Sequence, residues 1–158
     1  MINGLRLENV DPNDNKVYYK IKKLTCEKYV IKYFGSWNEE EQIEYNNKIF
    51  NESLNQTFFK SVILNDKIVG FFGYSIFDDK IGCVTLQIVN VVERIKIFTQ
   101  LLCELMHLSN KLNLPIFAKT FLDCKDIELY KKAGFEIIEE TSSHYHLVRY
   151  SKGEMFND

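Results

Sequence analysis

The sequence predicts an α/β fold built around one mixed β-sheet. Segments rich in β-branched and aromatic residues alternate along the chain with segments of helical periodicity, which favours a sheet flanked by helices. Some neighbouring strands are joined by tight turns and others by helices, which predicts antiparallel pairing in the first case and parallel pairing in the second. The chain has 158 residues, of which 46% are hydrophobic, and this suits a single domain over residues 1–158. The predicted element order is β-α-α-β-β-β-α-β-α-β-β.

The first predicted elements are a short strand and two helices. Residues 6–10 form the strand, and a turn of Asp, Pro, Asn and Asp follows it. Apolar residues at helical spacing over 17–34 predict a long helix that ends at Gly35. Asn38, with an acid three residues later, resembles a capping box and begins a second helix, which is expected to continue to about Phe50.

Three further strands and the most apolar helix come next. Residues 58–64 and 68–77 predict a hairpin around an Asn-Asp-Lys turn, and residues 82–89 predict another β-branched strand. From about Val92 the apolar period becomes helical and makes one wide face. The remaining predicted elements are strands over 115–121, 135–138 and 144–150, and a short helix over 125–133 that ends at Gly134.

Composition excludes several classes of protein. The 20 basic residues nearly balance the 22 acidic ones, for a formal net charge of −2, so no nucleic-acid partner is expected. No apolar run approaches the roughly 18 residues of a membrane-spanning helix, and residues 1–4 open no signal peptide. We therefore expect no membrane association and a cytoplasmic location.

The cysteines and histidines predict no metal site. The four cysteines are widely spaced, without a C-x-x-C pair, which is typical of reduced thiols in a cytoplasmic protein. His144 and His146 share one face of a predicted strand, but two imidazoles need a third ligand and none is evident. We expect neither a metal nor a disulfide framework.

Four local motifs point to a known family. Residues 129–135 (LYKKAGF) are similar to an L-Y-x-x-x-G-F signature, in which a glycine ends a helix and an aromatic residue returns to the core. Residues 37–42 (WNEEEQ), the hairpin at 63–71 (ILNDKIVGF) and the segment 140–145 (ETSSHY) follow the same family pattern in the same order. Together they resemble the GNAT superfamily of acyl-CoA-dependent N-acetyltransferases over nearly the whole chain.

The resemblance implies a function and roles for particular residues. It implies a GNAT fold that transfers an acetyl group from acetyl-CoA to a small-molecule or peptide amine, with no metal, and a homodimer is common in the family. Tyr130 would be the general acid, Glu40 and His144 candidate proton acceptors, and Trp37 and Tyr145 residues of the acceptor side. From the residues alone, a helix tyrosine usually packs its ring, and acids such as Glu40 simply favour a helix N-terminus.

The turn that would bind the cofactor departs from the family pattern. GNAT proteins hold the pyrophosphate on a Q/R-x-x-G-x-G/A turn, where backbone N–H groups at a helix N-terminus cradle phosphate. Here Glu93 stands at the first position, and Lys96 and Phe98 replace the two glycines. Asp123 stands where the family often has an asparagine that contacts the cofactor arm. The candidate cofactor-binding residues are Ile88, Val89, Asn90, Arg94, Ile95, Lys96, Ile97, Phe98, Thr99 and Asp123.

Two conformations of this turn stay open from the sequence. In one, the turn keeps its shape, Arg94 and Lys96 supply charge to the phosphates, and amides around Ile88 and Val89 polarise the thioester carbonyl. In the other, Asn90 caps a helix that starts early, and the phosphate cradle is lost. Accordingly, the alternatives to acetyl transfer are a non-catalytic GNAT-like binding module and an enzyme for another acyl-CoA.

Overall fold

The computed structural model of the chain describes residues 2–153 and confirms the predicted α/β class and element order. The strands are β1 (Leu5–Asn9), β2 (Phe58–Leu64), β3 (Lys67–Ile76), β4 (Ile81–Ile88), β5 (Ile116–Phe121), β6 (Glu136–Glu140) and β7 (His144–Arg149). The helices are α1 (Asn15–Phe34), α2 (Glu39–Ser53), α3 (Arg94–Leu112) and α4 (Asp126–Lys132), with a 3-10 turn at Pro12–Asp14.

The strands form one seven-stranded mixed sheet in the order β1-β2-β3-β4-β5-β7-β6. Strands β4 and β5, which α3 connects, pair in parallel, as the helix between them predicts. The hairpin pairs β2–β3 and β6–β7 are antiparallel. The described chain packs as two compact units. The first consists of the chain up to Tyr74 together with Thr85–Arg94, and the second consists of Ser75–Val84 together with the chain from Ile95 onward.

An aromatic cluster forms the core of the first unit. Tyr18 and Ile21 of α1 and Phe50 of α2 pack with Phe59 and Phe71 of the sheet. The Tyr18 ring centroid lies 5.2 Å from those of both Phe50 and Phe71. Both helices are therefore anchored on the same aromatic cluster. Over the following residues 22–34 of α1, no side chain is buried.

Local signals in the first unit behave as the sequence indicates. Gly35 ends α1 with φ 94° and its N–H donates to the carbonyl of Ile31. The Asn38 side chain accepts a hydrogen bond from the Glu41 N–H at 3.0 Å and caps α2, which continues to Ser53 rather than Phe50. In the β2–β3 hairpin, the two turn residues have φ 50° and 66°, the left-handed pair of a type I′ turn.

Helix α3 contributes a buried apolar face to the second unit, made of Ile97, Phe98, Leu101, Leu102 and Leu105. The same unit buries Ile116, Leu147 and Val148 of the sheet, which are all 1% exposed or less. Gly134, with φ 94°, ends α4 as predicted. The guanidinium of Arg149 is buried and donates to the carbonyl of Ala133 at the end of α4, where the helix dipole favours a cation.

The last hairpin leaves one strand open to solvent. Strand β6 is at the edge of the sheet, and all five of its residues are exposed. All four cysteines are free thiols. Within residues 2–153, no helix is both long and apolar enough to cross a membrane.

Candidate active site

The end of β4 has two backbone amides of different availability. The Val89 N–H donates to the carbonyl of Val69 at 2.9 Å, so it is already paired within the first unit. Successive N–H groups of a strand point to opposite edges, so the Ile88 N–H is directed away from β3. The Val89 N–H is therefore already engaged in a hydrogen bond to the neighbouring strand, and the sequence-based expectation that amides around Ile88 and Val89 polarise a thioester stays a prediction.

The segment after β4 is a tight turn rather than an early helix. The Val91 N–H donates to the carbonyl of Val89 at 2.8 Å, and the Arg94 N–H donates to that of Val91 at 3.1 Å. Helix α3 begins only at Arg94. Of the two conformations that the sequence left open, the one in which Asn90 caps an early helix is therefore not adopted: the β-branched valines after Asn90 are poor first-turn residues, and the chain folds back on Val89.

Arg94 reaches back over the end of β4. Its Nε donates to the carbonyl of Ile88 at 3.0 Å, and the side chain is partly buried. The guanidinium is therefore held beside the last residue of the strand. This favours the first of the two conformations that the sequence left open, in which the turn carries positive charge.

The two positions at which the family has glycine differ in their surroundings. Lys96 is exposed, as are Ile95 and Thr99 in the same turns of α3. Phe98 is fully buried, like its neighbour Ile97. Phe98 is thus a core residue, which confirms the core interpretation, and its ring does not project into solvent at the turn. Of the two replacements, Lys96 is the one whose side chain a bound phosphate could meet.

Tyr130 of α4 is packed among aromatic rings. It is 5% exposed, and its ring meets Phe98 and Phe135 edge-on, with centroid distances of 5.5 and 5.2 Å. Its carbonyl accepts the N–H of Phe135 at 3.0 Å, which fixes the turn around Gly134. The ring is therefore held rigidly, as a positioned proton donor requires.

His144 begins β7 with its ring fixed on two sides. Its Nδ1 lies 2.7 Å from the Ser143 hydroxyl, and the ring centroid is 4.2 Å from that of Phe121. The Leu122 N–H donates to the carbonyl of Ser143 at 3.0 Å, which ties the β6–β7 turn to the end of β5. Asp123 follows directly, so the structure brings Asp123 and His144 to the same end of these strands.

Tyr145 is paired in register with Thr120 of β5 and Glu140 of β6. Because side chains alternate along a strand, Tyr145 and His144 lie on opposite faces of β7. Among residues 2–153, no three His, Cys, Asp or Glu side chains are grouped closely enough to hold a metal ion.

A hydrogen-bonded cluster fixes the connection between α1 and α2. The Trp37 Nε1 lies 3.0 Å from both the Tyr19 hydroxyl and Glu39 Oε2. Lys23 Nζ donates to Glu39 Oε2 at 3.0 Å. The Lys23 hydrogen bond, followed by that of Tyr19, holds the pKa of the exposed Glu39 carboxyl below its ordinary value. Glu40, the acid that the resemblance implied, is exposed.

Sequence reasoning missed Tyr19, Lys23 and Glu39. One signal was available for two of them, since Tyr19 and Lys23 are four residues apart and so share a face of α1. No local signal indicates that Glu39, rather than Glu40, bonds to Lys23 and Trp37, because three consecutive acids begin α2.

Comparison with known proteins identifies the fold. The sequence matches no protein-family model and no curated protein significantly. Among solved structures, the ribosomal-protein-S18-alanine N-acetyltransferase from Escherichia coli is similar, with a TM-score of 0.68 and 14% identity over 98% of both chains. The chain has the GNAT fold.

Two other structures of this fold contain a coenzyme A moiety. Arabidopsis thaliana Naa50, in complex with the bisubstrate analogue CoA-Ac-MVNAL, has a TM-score of 0.67 and 17% identity over 92% of this chain and 98% of its own. PaiA N-acetyltransferase from Thermoplasma acidophilum, in complex with coenzyme A, has a TM-score of 0.67 and 16% identity over the same shares. At these identities the likeness concerns the GNAT fold.

Within this GNAT fold the predicted site residues divide between the two units. Those in the first unit are Trp37, Glu40, Ile88, Val89, Asn90 and Arg94. Those in the second unit are Ile95, Lys96, Ile97, Phe98, Thr99, Asp123, Tyr130, His144 and Tyr145.

Proposed function

We propose that this chain is an N-acetyltransferase that moves the acetyl group of acetyl-CoA to an amine. The observation that carries the proposal is the GNAT fold, shared over 92–98% of the chain with N-acetyltransferases, two of which are complexes with coenzyme A or a CoA-based analogue. The four free cysteines suit a reducing compartment, and we propose the cytoplasm as the location.

The turn after β4 supports acetyl-CoA as the co-substrate. The Arg94 guanidinium is held at the end of β4, and Lys96 is exposed in the first turn of α3. Positive charge and backbone N–H groups at the start of a helix are the features that bind phosphate without glycine. The first turn of α3 contains no acid, and the one acid of the preceding turn is Glu93. Asp123 would contact the pantetheine arm as an acceptor rather than a donor.

The proposed reaction is direct attack of an unprotonated amine on the thioester. The Ile88 amide would polarise the thioester carbonyl, and Tyr130 would protonate the departing thiolate. Glu40, His144 or an ordered water would take the ammonium proton. The acceptor would be a small-molecule or peptide amine that contacts Trp37 and Tyr145.

The test is calorimetric titration of the protein with acetyl-CoA. We expect a micromolar dissociation constant, and Arg94→Ala is expected to weaken binding about tenfold, the usual scale for losing one charge-assisted phosphate contact. The matched control is Lys111→Ala, which removes a cation from the last turn of the same helix and should leave the constant unchanged.

The absence of detectable binding at millimolar acetyl-CoA would contradict the enzyme proposal. The glycine-free turn would then support a GNAT-like binding module. Binding of a longer acyl-CoA in the same titration, without binding of acetyl-CoA, would instead support transfer of another acyl group.

A further inference from the structure

Trp37 is held at the surface between two helices. It is the only tryptophan of the chain, and it lies in the four-residue connection between α1 and α2. The other three residues of this connection are exposed, whereas Trp37 is partly buried. A large ring in a short surface connection needs specific contacts to keep one orientation. Here those contacts come from Tyr19 of α1 and Glu39 of α2.

The only polar group of the Trp37 indole is already engaged. Its N–H donates to the Tyr19 hydroxyl and to Glu39 Oε2, each at 3.0 Å. The Tyr19 ring also lies beside the indole, with 6.2 Å between the ring centroids. An indole has no other hydrogen-bonding group. The part of the Trp37 ring that stays accessible can therefore offer a ligand only its carbon surface.

The Glu39 carboxylate is the centre of these contacts. It accepts hydrogen bonds from Trp37 Nε1, from the Tyr19 hydroxyl and from Lys23 Nζ, the last at 3.0 Å. We call Tyr19, Lys23, Trp37 and Glu39 the Glu39 cluster. Tyr19 directly follows Tyr18, which is buried in the aromatic cluster of the first unit. The orientation of Trp37 is in this way tied to the packed core of that unit.

The Glu39 cluster adds little to the stability of the fold. The side chains of Lys23 and Glu39 are 37% and 53% exposed, and ion pairs this exposed contribute little because water competes for both charges. The two helices are already held on one core by Tyr18 and Phe50, whose ring centroids are 5.2 Å apart. The hydrogen bonds of the Glu39 cluster therefore act chiefly on the orientation of the Trp37 ring.

We propose that Glu39 is a positioning residue, which holds the indole of Trp37 against an apolar group of the acceptor amine. This inference rests on the proposed function, in which the acceptor contacts Trp37. Glu39 does not itself bind the acceptor, because its carboxylate is occupied by three donors and its charge is paired with that of Lys23. The ring selects among acceptors by their apolar substituent, since carbon is all that it presents.

The first experiment tests the Glu39 cluster without cofactor or turnover. Because Trp37 is the only tryptophan, selective excitation of tryptophan reports on this one ring. In Glu39→Ala the indole N–H loses one of its two acceptors, so the emission should become more sensitive to acrylamide quenching and its anisotropy should fall. The matched control is Glu41→Ala, which removes another exposed acid from the same helical turn and should leave both quantities unchanged.

A second variant approaches the cluster from the other helix. Tyr19→Phe removes the other acceptor of the indole N–H and leaves α2 intact. Its quenching and anisotropy should change in the same direction as those of Glu39→Ala, with unchanged circular dichroism. If both variants match the native protein in quenching and anisotropy, the ring is not held by the Glu39 cluster, and the proposal is overturned.

The second experiment separates positioning from chemistry by steady-state kinetics. With phenethylamine as the acceptor, Glu39→Ala should raise the KM for the amine about tenfold, while kcat and the KM for acetyl-CoA stay near their native values. Ethylamine has the same charge and lacks the phenyl group, so its KM should change much less. The native protein should have the lower KM for phenethylamine. A merely structural effect would not distinguish the two amines.

Other kinetic outcomes would overturn the proposal. A lower kcat at unchanged KM makes Glu39 a participant in proton transfer rather than a positioning residue. Equal increases in KM for both amines, or a native preference for ethylamine, mean that the ring does not contact an apolar group of the acceptor. Absence of acetyl transfer to any amine contradicts the proposed function and the acceptor role of Trp37 with it, while the emission experiment still decides whether Glu39 holds the ring.

Discussion

The ring of Phe98 meets the ring of Tyr130 edge-on, with 5.5 Å between the centroids and 85° between the planes. By the sequence resemblance, Phe98 stands where the second glycine of the GNAT phosphate turn is expected. Because this ring is fully buried, its packing stabilises the second unit. Its contact with the Tyr130 ring also restrains the side chain that we propose as the general acid. The replaced glycine has therefore become part of the core, while the replacement at Lys96 has stayed at the surface.

Phe98→Ala should destabilise the protein severely without improving cofactor binding. Removing a fully buried phenylalanine costs about 3–5 kcal/mol of unfolding free energy, measured by urea denaturation. The comparison is Lys96→Gly, at the exposed glycine position, where the expected cost is about 1 kcal/mol or less. A loss below about 1 kcal/mol for Phe98→Ala would show that this ring is not packed as described.

Tyr130→Phe should slow acetyl transfer while leaving the fold intact. If the phenol protonates the leaving thiolate, thiol release with an amine panel should fall about 10²-fold or more. Tyr18→Phe, at a tyrosine 1% exposed in the other unit, is the matched control for losing a buried hydroxyl. Its rate should match that of the native protein. An unchanged rate in Tyr130→Phe removes this residue from the mechanism.

Gly70→Ala should destabilise the first unit. A Cβ at this position would collide with the Gln87 carbonyl oxygen and come within 2.7 Å of Ile88 Cδ1, at the end of β4. Overpacking of this kind typically costs about 1–3 kcal/mol, which urea unfolding would detect. Gly82→Ala is the control, because its nearest neighbour would be 3.5 Å away in ordinary contact. Equal effects of the two substitutions would contradict the close approach at Gly70.

Lys23→Met should raise the pKa of the Glu39 carboxyl toward the ordinary value of about 4.3. The native pKa is lowered chiefly by the Lys23 hydrogen bond, so Glu39 stabilises the fold above the unfolded-state pKa and this contribution is lost as the pH falls through the folded-state value. Carboxyl NMR titration measures the shift. Lys20→Met, at an exposed lysine on the same helix, should leave the Glu39 titration where it is.

The parts of the fold that the sequence predicted correctly are those with local physical causes. Gly35 and Gly134 end helices because each adopts a φ of 94°, which other residues rarely tolerate. Asn38 caps α2 through its own side chain. The order of strands and helices follows from hydrophobic periodicity alone, which needs no knowledge of distant contacts.

The features that the sequence left open or did not predict depend on distant or competing contacts. Asn90 is of a residue type that often caps helices, but the Val91 N–H donates to the carbonyl of Val89, and α3 begins only at Arg94. Glu39 is preferred over Glu40 at the α1–α2 connection because Lys23, sixteen residues earlier, reaches it. Arg94 was expected to supply charge, but its hydrogen bond to the Ile88 carbonyl could not be read from spacing.

The open edge at β6 bears on how this protein avoids fibre growth. An exposed edge strand with two isoleucines would ordinarily recruit a second copy by extending the sheet. Here Glu136, Glu139 and Glu140 flank those isoleucines, so pairing two β6 strands would place like charges opposite each other. Polymerisation through this edge of the sheet is thus discouraged by three carboxylates.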